Sequence, residues 1–160
     1  MTMNDSLILL AEDDPNDEDL IRLALSESGV HYCLDVVHDG VEVIDYLFAT
    51  GIHGGRDRAR LPRLLLLDLK MPRMNGLQVL QVLRRVRVGD GIHLPPVVAL
   101  TSSNEDHDIN EAYHWGAHSY ICKPVGFEEF SRCVQQVAHY WLELNRPPQS
   151  HGRAEVMAGV

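Results

Sequence analysis

Five short apolar runs recur along this 160-residue chain, and longer segments with helical periodicity separate them. The runs are largely continuous and partly β-branched, as is typical of strands that are buried on both faces of a parallel sheet. Alternation of such strands with helices predicts an α/β fold, a doubly wound five-stranded parallel sheet. The predicted strands are residues 7–11, 33–37, 64–67, 97–100 and 119–122.

The segments between these runs carry helix signals. Asp14 and Pro15 predict an N-cap followed by proline at the first helical position, and Gly29 is suited to end that helix. Right-handed crossovers and helices on both faces favour the flavodoxin-like (βα)5 strand order 2-1-3-4-5. The other predicted helices are residues 40–50, a segment that starts at 75–76, residues 104–116 and residues 127–144. The core-facing side chains are expected to be Leu20, Ile21, Ala24, Leu25, Val41, Ile44, Leu47, Phe48, Leu80, Leu83, Val86, Phe127, Phe130, Val134, Val137, Trp141 and Leu144.

Composition and charge argue against several classes of function. The formal net charge of −9 disfavours nucleic acid and membrane surfaces as partners, because phosphate groups attract a basic face. No basic segment precedes the first apolar run as in a signal peptide, and no apolar stretch approaches the ~18 residues of a membrane span. Three scattered cysteines, Cys33, Cys122 and Cys133, indicate reduced thiols in a cytoplasmic protein. The length suits one domain, predicted at residues 1–148, with 149–160 as a mobile tail.

Chemically reactive side chains follow four of the predicted strands at the point where each strand ends. Glu12 and Asp13 follow the first strand, Asp68 follows the third, Thr101 the fourth and Lys123 the fifth. The carboxyl ends of parallel strands share one edge of the sheet, and folds of this order bind ligands in the crevice between strands 1 and 3. We therefore expect Glu12, Asp13 and Asp68 to converge in that crevice.

The residue types in this crevice indicate phosphoryl chemistry with a metal ion. Three adjacent carboxylates repel one another, so they need a cation or shifted pKa values. An all-oxygen ligand set favours Mg²⁺, which commonly uses one or two carboxylates together with waters and a phosphate. The Thr101 hydroxyl and the Lys123 ammonium are suited to phosphoryl oxygens. A carboxylate such as Asp68 can act as a nucleophile and carry an aspartyl phosphate.

Four motifs in sequence order resemble the receiver domain of two-component response regulators. They are ILLAEDD, LLLLDLKMPRMNG, VVALTSS and SYICKPV, and the resemblance spans about residues 5–145. It implies a signalling switch that takes a phosphoryl group from a histidine kinase with Mg²⁺ and that does not act as an enzyme on a separate substrate. The implied roles are Asp68 as phospho-acceptor, Glu12, Asp13, Asp68 and the backbone carbonyl of Lys70 as Mg²⁺ ligands, Thr101 and Lys123 as phosphoryl contacts, and Thr101 with Tyr120 as the switch residues.

Other segments resemble single-domain regulators that are paired with bacterial phytochromes. These segments are the Gly/Arg-rich loop at residues 51–63, the strings YLF and GRD, and the ending HYWLELNRPP. The resemblance implies a bacterial phytochrome as the kinase, no DNA-binding output domain, and a homodimer formed through strand 5 and adjacent helices, about residues 119–144. Surplus apolar side chains in the last helix, Cys133, Tyr140 and Leu142, favour that interface.

Three other interpretations compete with this one. A Mg²⁺-dependent phosphohydrolase of the haloacid dehalogenase type also uses an aspartyl nucleophile, but Lys70 stands where such enzymes have a second aspartate. A flavodoxin-like FMN carrier needs a phosphate-binding loop rich in Ser, Thr and Gly, where this chain has EDDPND. An unphosphorylated receiver-like scaffold would have no need of the complete set of acids, threonine and lysine.

Overall fold

The computed structural model describes residues 6–90 and 93–148 and confirms the alternation of strands and helices. The predicted tail at residues 149–160 lies outside the described residues. Within the described ranges, no helix combines the length and the apolar character needed to cross a membrane. The strands are β1 (Ser6–Ala11), β2 (Tyr32–Val37), β3 (Leu64–Leu67), β4 (Val97–Thr101) and β5 (Ser119–Cys122). The helices are α1 (Pro15–Ser26), α2 (Gly40–Phe48), α3 (Gly76–Asp90), α4 (Asp106–His114) and α5 (Phe127–His139), with a 3₁₀ turn at Gly51–His53 and a π-helical turn at Tyr140–Leu144.

All five strands are parallel and their order is β2-β1-β3-β4-β5, which confirms the predicted flavodoxin-like sheet. β1 and β3 are neighbours, and Ala11 lies opposite Leu67 where both strands end. The backbone N–H of Asp68 donates a 3.0 Å hydrogen bond to the Ala11 carbonyl, which continues the pairing by one step. Glu12 and Asp68 therefore leave the sheet side by side at its carboxyl edge.

Side chains of the central strands alternate between two hydrophobic cores, one on each face of the sheet. Leu9 and Leu65 pack with α2, α3 and α4, whereas Ile8 and Leu64 pack with α1 and α5. Nearly every residue of β1, β3 and β4 is buried. β2 and β5 are mostly half-exposed, so the expectation that all five strands are buried on both faces is wrong for these two. Each is an edge strand with a neighbour on one side only.

The buried face of α2 differs from the predicted one. Val43, Tyr46 and Leu47 are buried, and the Tyr46 hydroxyl donates a hydrogen bond to the Asp35 carboxylate on β2. The Arg56 guanidinium lies 3.6 Å from the centroid of the Tyr46 ring. Because these partners come from a strand and a loop, the helical period alone could not identify Tyr46 as a core residue. Three predicted core residues of α2 are only half-buried, namely Val41, Ile44 and Phe48, and the same holds for Leu20, Val86 and Trp141 in other helical segments.

α5 buries the middle of its predicted stripe but not the two ends. Phe130, Val134 and Val137 are buried, whereas Phe127 is half-exposed and Leu144 is 71% exposed. The expectation that Phe127 and Leu144 face the core is therefore wrong. Both residues lie at the ends of the helical segment, at its first residue and in its last turn.

The last turn of this segment has a wider hydrogen-bond pattern than an α-helix. The Asn145 N–H donates a 2.6 Å bond to the Tyr140 carbonyl, five residues earlier. A π-helical turn changes the direction of the side chains that follow it, and here Leu142 is buried while Leu144 is exposed. Leu142 was expected to add to a dimer surface, and its burial in the core corrects that expectation.

α4 buries fewer side chains than any other of the described α-helices. Ala112 is its buried residue, Tyr113 is about half-exposed, and the N-cap residue Glu105 makes no side-chain capping bond. Few buried contacts give a segment low local stability. α4 is thus a helix that can change position at small cost in free energy.

Candidate functional site

Three carboxylates meet where β1 and β3 end. Ligand-capable oxygen atoms of Glu12, Asp13 and Asp68 all lie within 4.8 Å of one another. The Glu12 backbone N–H bonds to the Val37 carbonyl at 3.0 Å, which holds the start of this loop against β2. Glu12 and Asp68 are buried and Asp13 is exposed. The convergence expected from strand order is thus present, and it leaves an opening to solvent beside Asp13.

The Met-Asn-Gly turn after Asp68 packs directly on the strand end. The Gly76 N–H donates a 2.9 Å bond to the Leu69 carbonyl. A Cβ atom added at Gly76 would lie 2.5 Å from the Asp68 carbonyl oxygen and 2.7 Å from the Leu69 Cα. Only a glycine allows α3 to begin so close to the chain that carries Asp68.

Lys123 connects β5 to the acidic cluster. Its backbone N–H donates a 2.8 Å bond to the Thr101 carbonyl, and its side chain is only 8% exposed. The Nζ atom lies 2.7 Å from Glu12 Oε2, 2.7 Å from Asp17 Oδ2 and 3.3 Å from Asp68 Oδ2. One ammonium therefore bridges three carboxylates, two of which belong to the predicted metal cluster.

Asp17 is the site residue that the sequence analysis missed. An acidic side chain in the first turn of a helix interacts favourably with the helix dipole, so Asp17 has an ordinary explanation that does not involve the site. The available signal was position, because α1 starts at Pro15, directly after the carboxyl end of β1. A carboxylate one turn into that helix remains near the same edge of the sheet, within reach of Lys123.

The charges in this cluster shift the pKa values of two groups. Burial raises the pKa of Glu12 to about 7, with a smaller upward contribution from the Asp68 charge, although the hydrogen bond from Lys123 works in the opposite direction. Burial by itself would lower the pKa of Lys123, but its bonds to Asp17 and Glu12 outweigh that effect and raise it. The site thus favours any added positive charge, whether a proton or a metal cation.

Backbone and side-chain bonds orient both oxygens of the Asp68 carboxylate. Oδ1 accepts a 3.1 Å bond from the Lys70 N–H, and Oδ2 accepts the bond from Lys123. The Lys70 side chain is exposed. Asp14, next to the cluster, caps α1 by accepting a 2.8 Å bond from the Asn16 N–H, as its position predicts.

The other two predicted residues lie along β4 and β5. Thr101 is fully buried, and its Oγ1 accepts a long 3.4 Å bond from the Ser103 N–H. The Tyr120 hydroxyl donates a 2.8 Å bond to the Ser103 carbonyl, and its ring is half-buried. Burial raises the pKa of Tyr120. Ser103 therefore contacts both residues that the sequence analysis named as a switch pair.

The fold and the site together define a doubly wound α/β protein with an acidic crevice and a buried lysine at its carboxyl edge. Residues 8–135 match the family described as the response regulator receiver domain. This match covers most of the chain, which therefore belongs to the response regulator receiver family.

Two curated relatives are similar over most of their length. The chain is 37% identical over 142 residues to the probable methanogenesis regulatory protein FilR2 of Methanothrix harundinacea, covering 89% of this chain and 87% of that protein. It is 29% identical over 137 residues to the response regulator Rcp1 of Synechocystis, covering 86% of this chain and 89% of that protein.

Solved structures of similar proteins include several phytochrome response regulators. The phosphorylated cyanobacterial phytochrome response regulator RcpA has a TM-score of 0.79 at 30% identity, covering 91% of this chain and 99% of that one. The Mn²⁺-bound form of Rcp1 has a TM-score of 0.78 at 28% identity, with 90% and 99% coverage. The bacteriophytochrome response regulator RtBRR has a TM-score of 0.68 at 40% identity, with 90% and 84% coverage.

Proposed function

We propose that this protein is a signalling switch that accepts a phosphoryl group on Asp68 from a sensor histidine kinase. The observation that carries the proposal is the position of the Asp68 carboxylate, with the Lys123 ammonium 3.3 Å from one oxygen and Glu12 and Asp13 beside it. A nucleophilic carboxylate needs neighbouring positive charge to receive a dianionic group. Membership of the receiver family supports the same role.

The carboxylate cluster fits a hard divalent cation such as Mg²⁺. Its donor atoms are all oxygens within 4.8 Å of one another, and burial, with a smaller contribution from the Asp68 charge, raises the pKa of Glu12, so a bound cation would stabilise the ionised form of Glu12. Glu12, Asp13, Asp68 and the backbone carbonyl of Lys70 would hold it, and Mn²⁺ is bound in a structure of the similar Rcp1. When bound, the cation neutralises charge on the oxygens of the transferring phosphoryl group.

The transfer step uses Asp68 as the attacking group. A carboxylate oxygen of Asp68 forms a bond to phosphorus while the bond from phosphorus to the donor nitrogen of a phosphohistidine breaks. The donor imidazole keeps the bonding electron pair and takes up a proton. Lys123 and Thr101 then contact the phosphoryl oxygens, and Lys123 offsets part of the added negative charge. The protein thus carries out chemistry on its own side chain.

Phosphorylation would be reported through Thr101, Tyr120 and α4. Movement of Thr101 toward a phosphoryl group would alter the Ser103 backbone, to which the Tyr120 hydroxyl is bonded. α4 follows this loop directly and buries little, so a small bias is enough to shift its position. A downstream partner would recognise the shifted surface.

We infer that the kinase is a bacterial phytochrome and that the protein works in the cytoplasm as a homodimer. The similar proteins RcpA and RtBRR are named as phytochrome and bacteriophytochrome response regulators, which supports the choice of kinase. β5 is a half-exposed edge strand, and Tyr140 and Leu144 near the end of α5 are exposed apolar residues. These features support dimerisation through about residues 119–144.

Intact mass after incubation with acetyl phosphate tests the acceptor role. We expect a gain of about 80 Da, one phosphoryl group, that requires Mg²⁺ and is absent in Asp68→Asn. Asp57→Asn is the matched control, because Asp57 is an exposed aspartate on the loop after α2. If folded wild-type protein gains no mass from acetyl phosphate or from a purified phytochrome kinase, the proposal is wrong and a scaffold role is favoured.

A further inference from the structure

All three hydrogen-bond donors of the Lys123 ammonium are in use within the described structure. An ammonium group carries three N–H donors, and those of Lys123 point to carboxylates at 2.7 Å in Glu12, 2.7 Å in Asp17 and 3.3 Å in Asp68. The two shorter bonds go to residues other than Asp68. A new acceptor for Lys123 must therefore replace or lengthen at least one of these bonds.

The three acceptors differ in how well water can replace Lys123. The Glu12 side chain is 1% exposed and that of Asp68 is 9% exposed, whereas that of Asp17 is 31% exposed. A buried carboxylate that loses its partner is left without solvation, whereas a partly exposed one regains water. Asp17 is therefore the partner that Lys123 can leave at the lowest cost in free energy.

We propose that Asp17 is a positioning residue that holds Lys123 in the unphosphorylated protein and opposes phosphorylation of Asp68. This inference rests on the proposed function, because it concerns the same acceptor. A phosphoryl group carries more negative charge than the carboxylate oxygen that Lys123 now contacts, so it draws the ammonium toward itself. The bond between Lys123 and Asp17 then weakens. This bond therefore stabilises only the unphosphorylated state.

The variant Asp17→Asn tests this competition, since it keeps the size of the side chain and removes its charge. With saturating Mg²⁺ and sub-saturating acetyl phosphate, we expect the ratio of phosphorylated to unphosphorylated protein to rise about threefold to tenfold, as for loss of one hydrogen bond of ordinary strength at a partly exposed side chain. Asp19→Asn is the matched control, because Asp19 is an exposed aspartate on the same helix. It should leave the ratio unchanged.

A second measurement reports the contact itself without any phosphorylation. The chain has only two lysines, so selective ¹³Cε labelling of lysine gives one NMR signal for Lys70 and one for Lys123. We expect Asp17→Asn to shift the Lys123 signal and to leave that of the exposed Lys70 in place. A change that affected only the stability of α1 would not produce this selective shift.

The outcomes separate this inference from the proposed function. If wild-type protein gains no phosphoryl group, both fail together. If wild type is phosphorylated but Asp17→Asn gives an unchanged or lower ratio, the inference alone is overturned. An unshifted Lys123 signal in Asp17→Asn overturns it as well, because Asp17 would then not hold the ammonium.

Discussion

The Tyr120 hydroxyl donates a 2.8 Å hydrogen bond to the backbone carbonyl of Ser103, which ties β5 to the loop between β4 and α4. We expect Tyr120→Phe to lower the free energy of unfolding by about 1 kcal/mol, because the carbonyl loses its donor. The same change should speed amide hydrogen exchange at residues 103–106. Tyr140→Phe, at a half-exposed tyrosine, is the control. Equal effects of the two variants in urea denaturation would contradict this role.

The close approach of Gly76 to the Asp68 backbone leads to a second prediction, which concerns stability. A methyl group at Gly76 would meet the Asp68 carbonyl oxygen at 2.5 Å, so Gly76→Ala must displace α3 or the strand end. We expect a loss of about 1–3 kcal/mol in the free energy of unfolding, as for other overpacked sites.

Gly55→Ala is the matched control for this loss, because a Cβ atom there meets nothing within 4 Å. Thermal unfolding of both variants measures the difference in their stability. If Gly76→Ala is as stable as Gly55→Ala, the contact between α3 and the Asp68 backbone is looser than these distances indicate.

Much of the site follows from the sequence because parallel-sheet geometry restricts it strongly. Once strand order is inferred, Glu12, Asp68 and Lys123 must emerge along one edge, whatever the details of packing. The prediction that these three side chains lie close together therefore depends only on locating the strand ends correctly. The position of the Asp68 backbone follows from the same edge, since its N–H continues the pairing with Ala11.

Features that depend on the rotation of a helix or on a loop could not be inferred in this way. The contact of Asp17 with Lys123 requires the direction in which α1 presents its first turn. The contact of the buried Tyr46 ring with Arg56 depends on a loop that has no periodic pattern. The π-helical turn after α5 changes which leucine is buried, and the sequence has no local signal for it.

The raised pKa of Glu12 predicts a pH-dependent stability in the metal-free protein. Burial raises this pKa from the ordinary value of 4.5 to about 7, so the folded state binds a proton more tightly than the unfolded state. The resulting contribution of Glu12 to the free energy of unfolding is fully present below pH 4.5. It is lost as the pH rises through about 7. In EDTA we expect this group to reduce the free energy of unfolding by about 1–3 kcal/mol across that interval.

Urea denaturation at several pH values, with and without Mg²⁺, measures this effect. Added Mg²⁺ should restore most of the loss above pH 7, because a cation replaces the proton in balancing the carboxylates. Glu12→Gln should remove the contribution of this group. A wild-type profile identical to that of Glu12→Gln would show that Glu12 does not titrate in this range.

The weak packing of α4 predicts the order in which helices exchange amide hydrogens. Only Ala112 is buried in α4, whereas α5 buries Phe130, Val134 and Val137 among others. We expect α4 amides to exchange at least about tenfold faster than those of α5. Hydrogen exchange followed by mass spectrometry or NMR measures both helices in one sample. Equal protection would mean that α4 is held by more than its few buried contacts.

The proposed homodimer can be tested at an exposed leucine near the end of α5. Leu144 is 71% exposed, so Leu144→Glu adds a charge without disturbing the core and should weaken association through about residues 119–144. Ile52→Glu is the control, because Ile52 is 80% exposed but lies after α2. Light scattering at tens of micromolar should show dimers for wild type and Ile52→Glu and more monomer for Leu144→Glu. Wild-type protein that stays monomeric with and without acetyl phosphate would exclude this dimer.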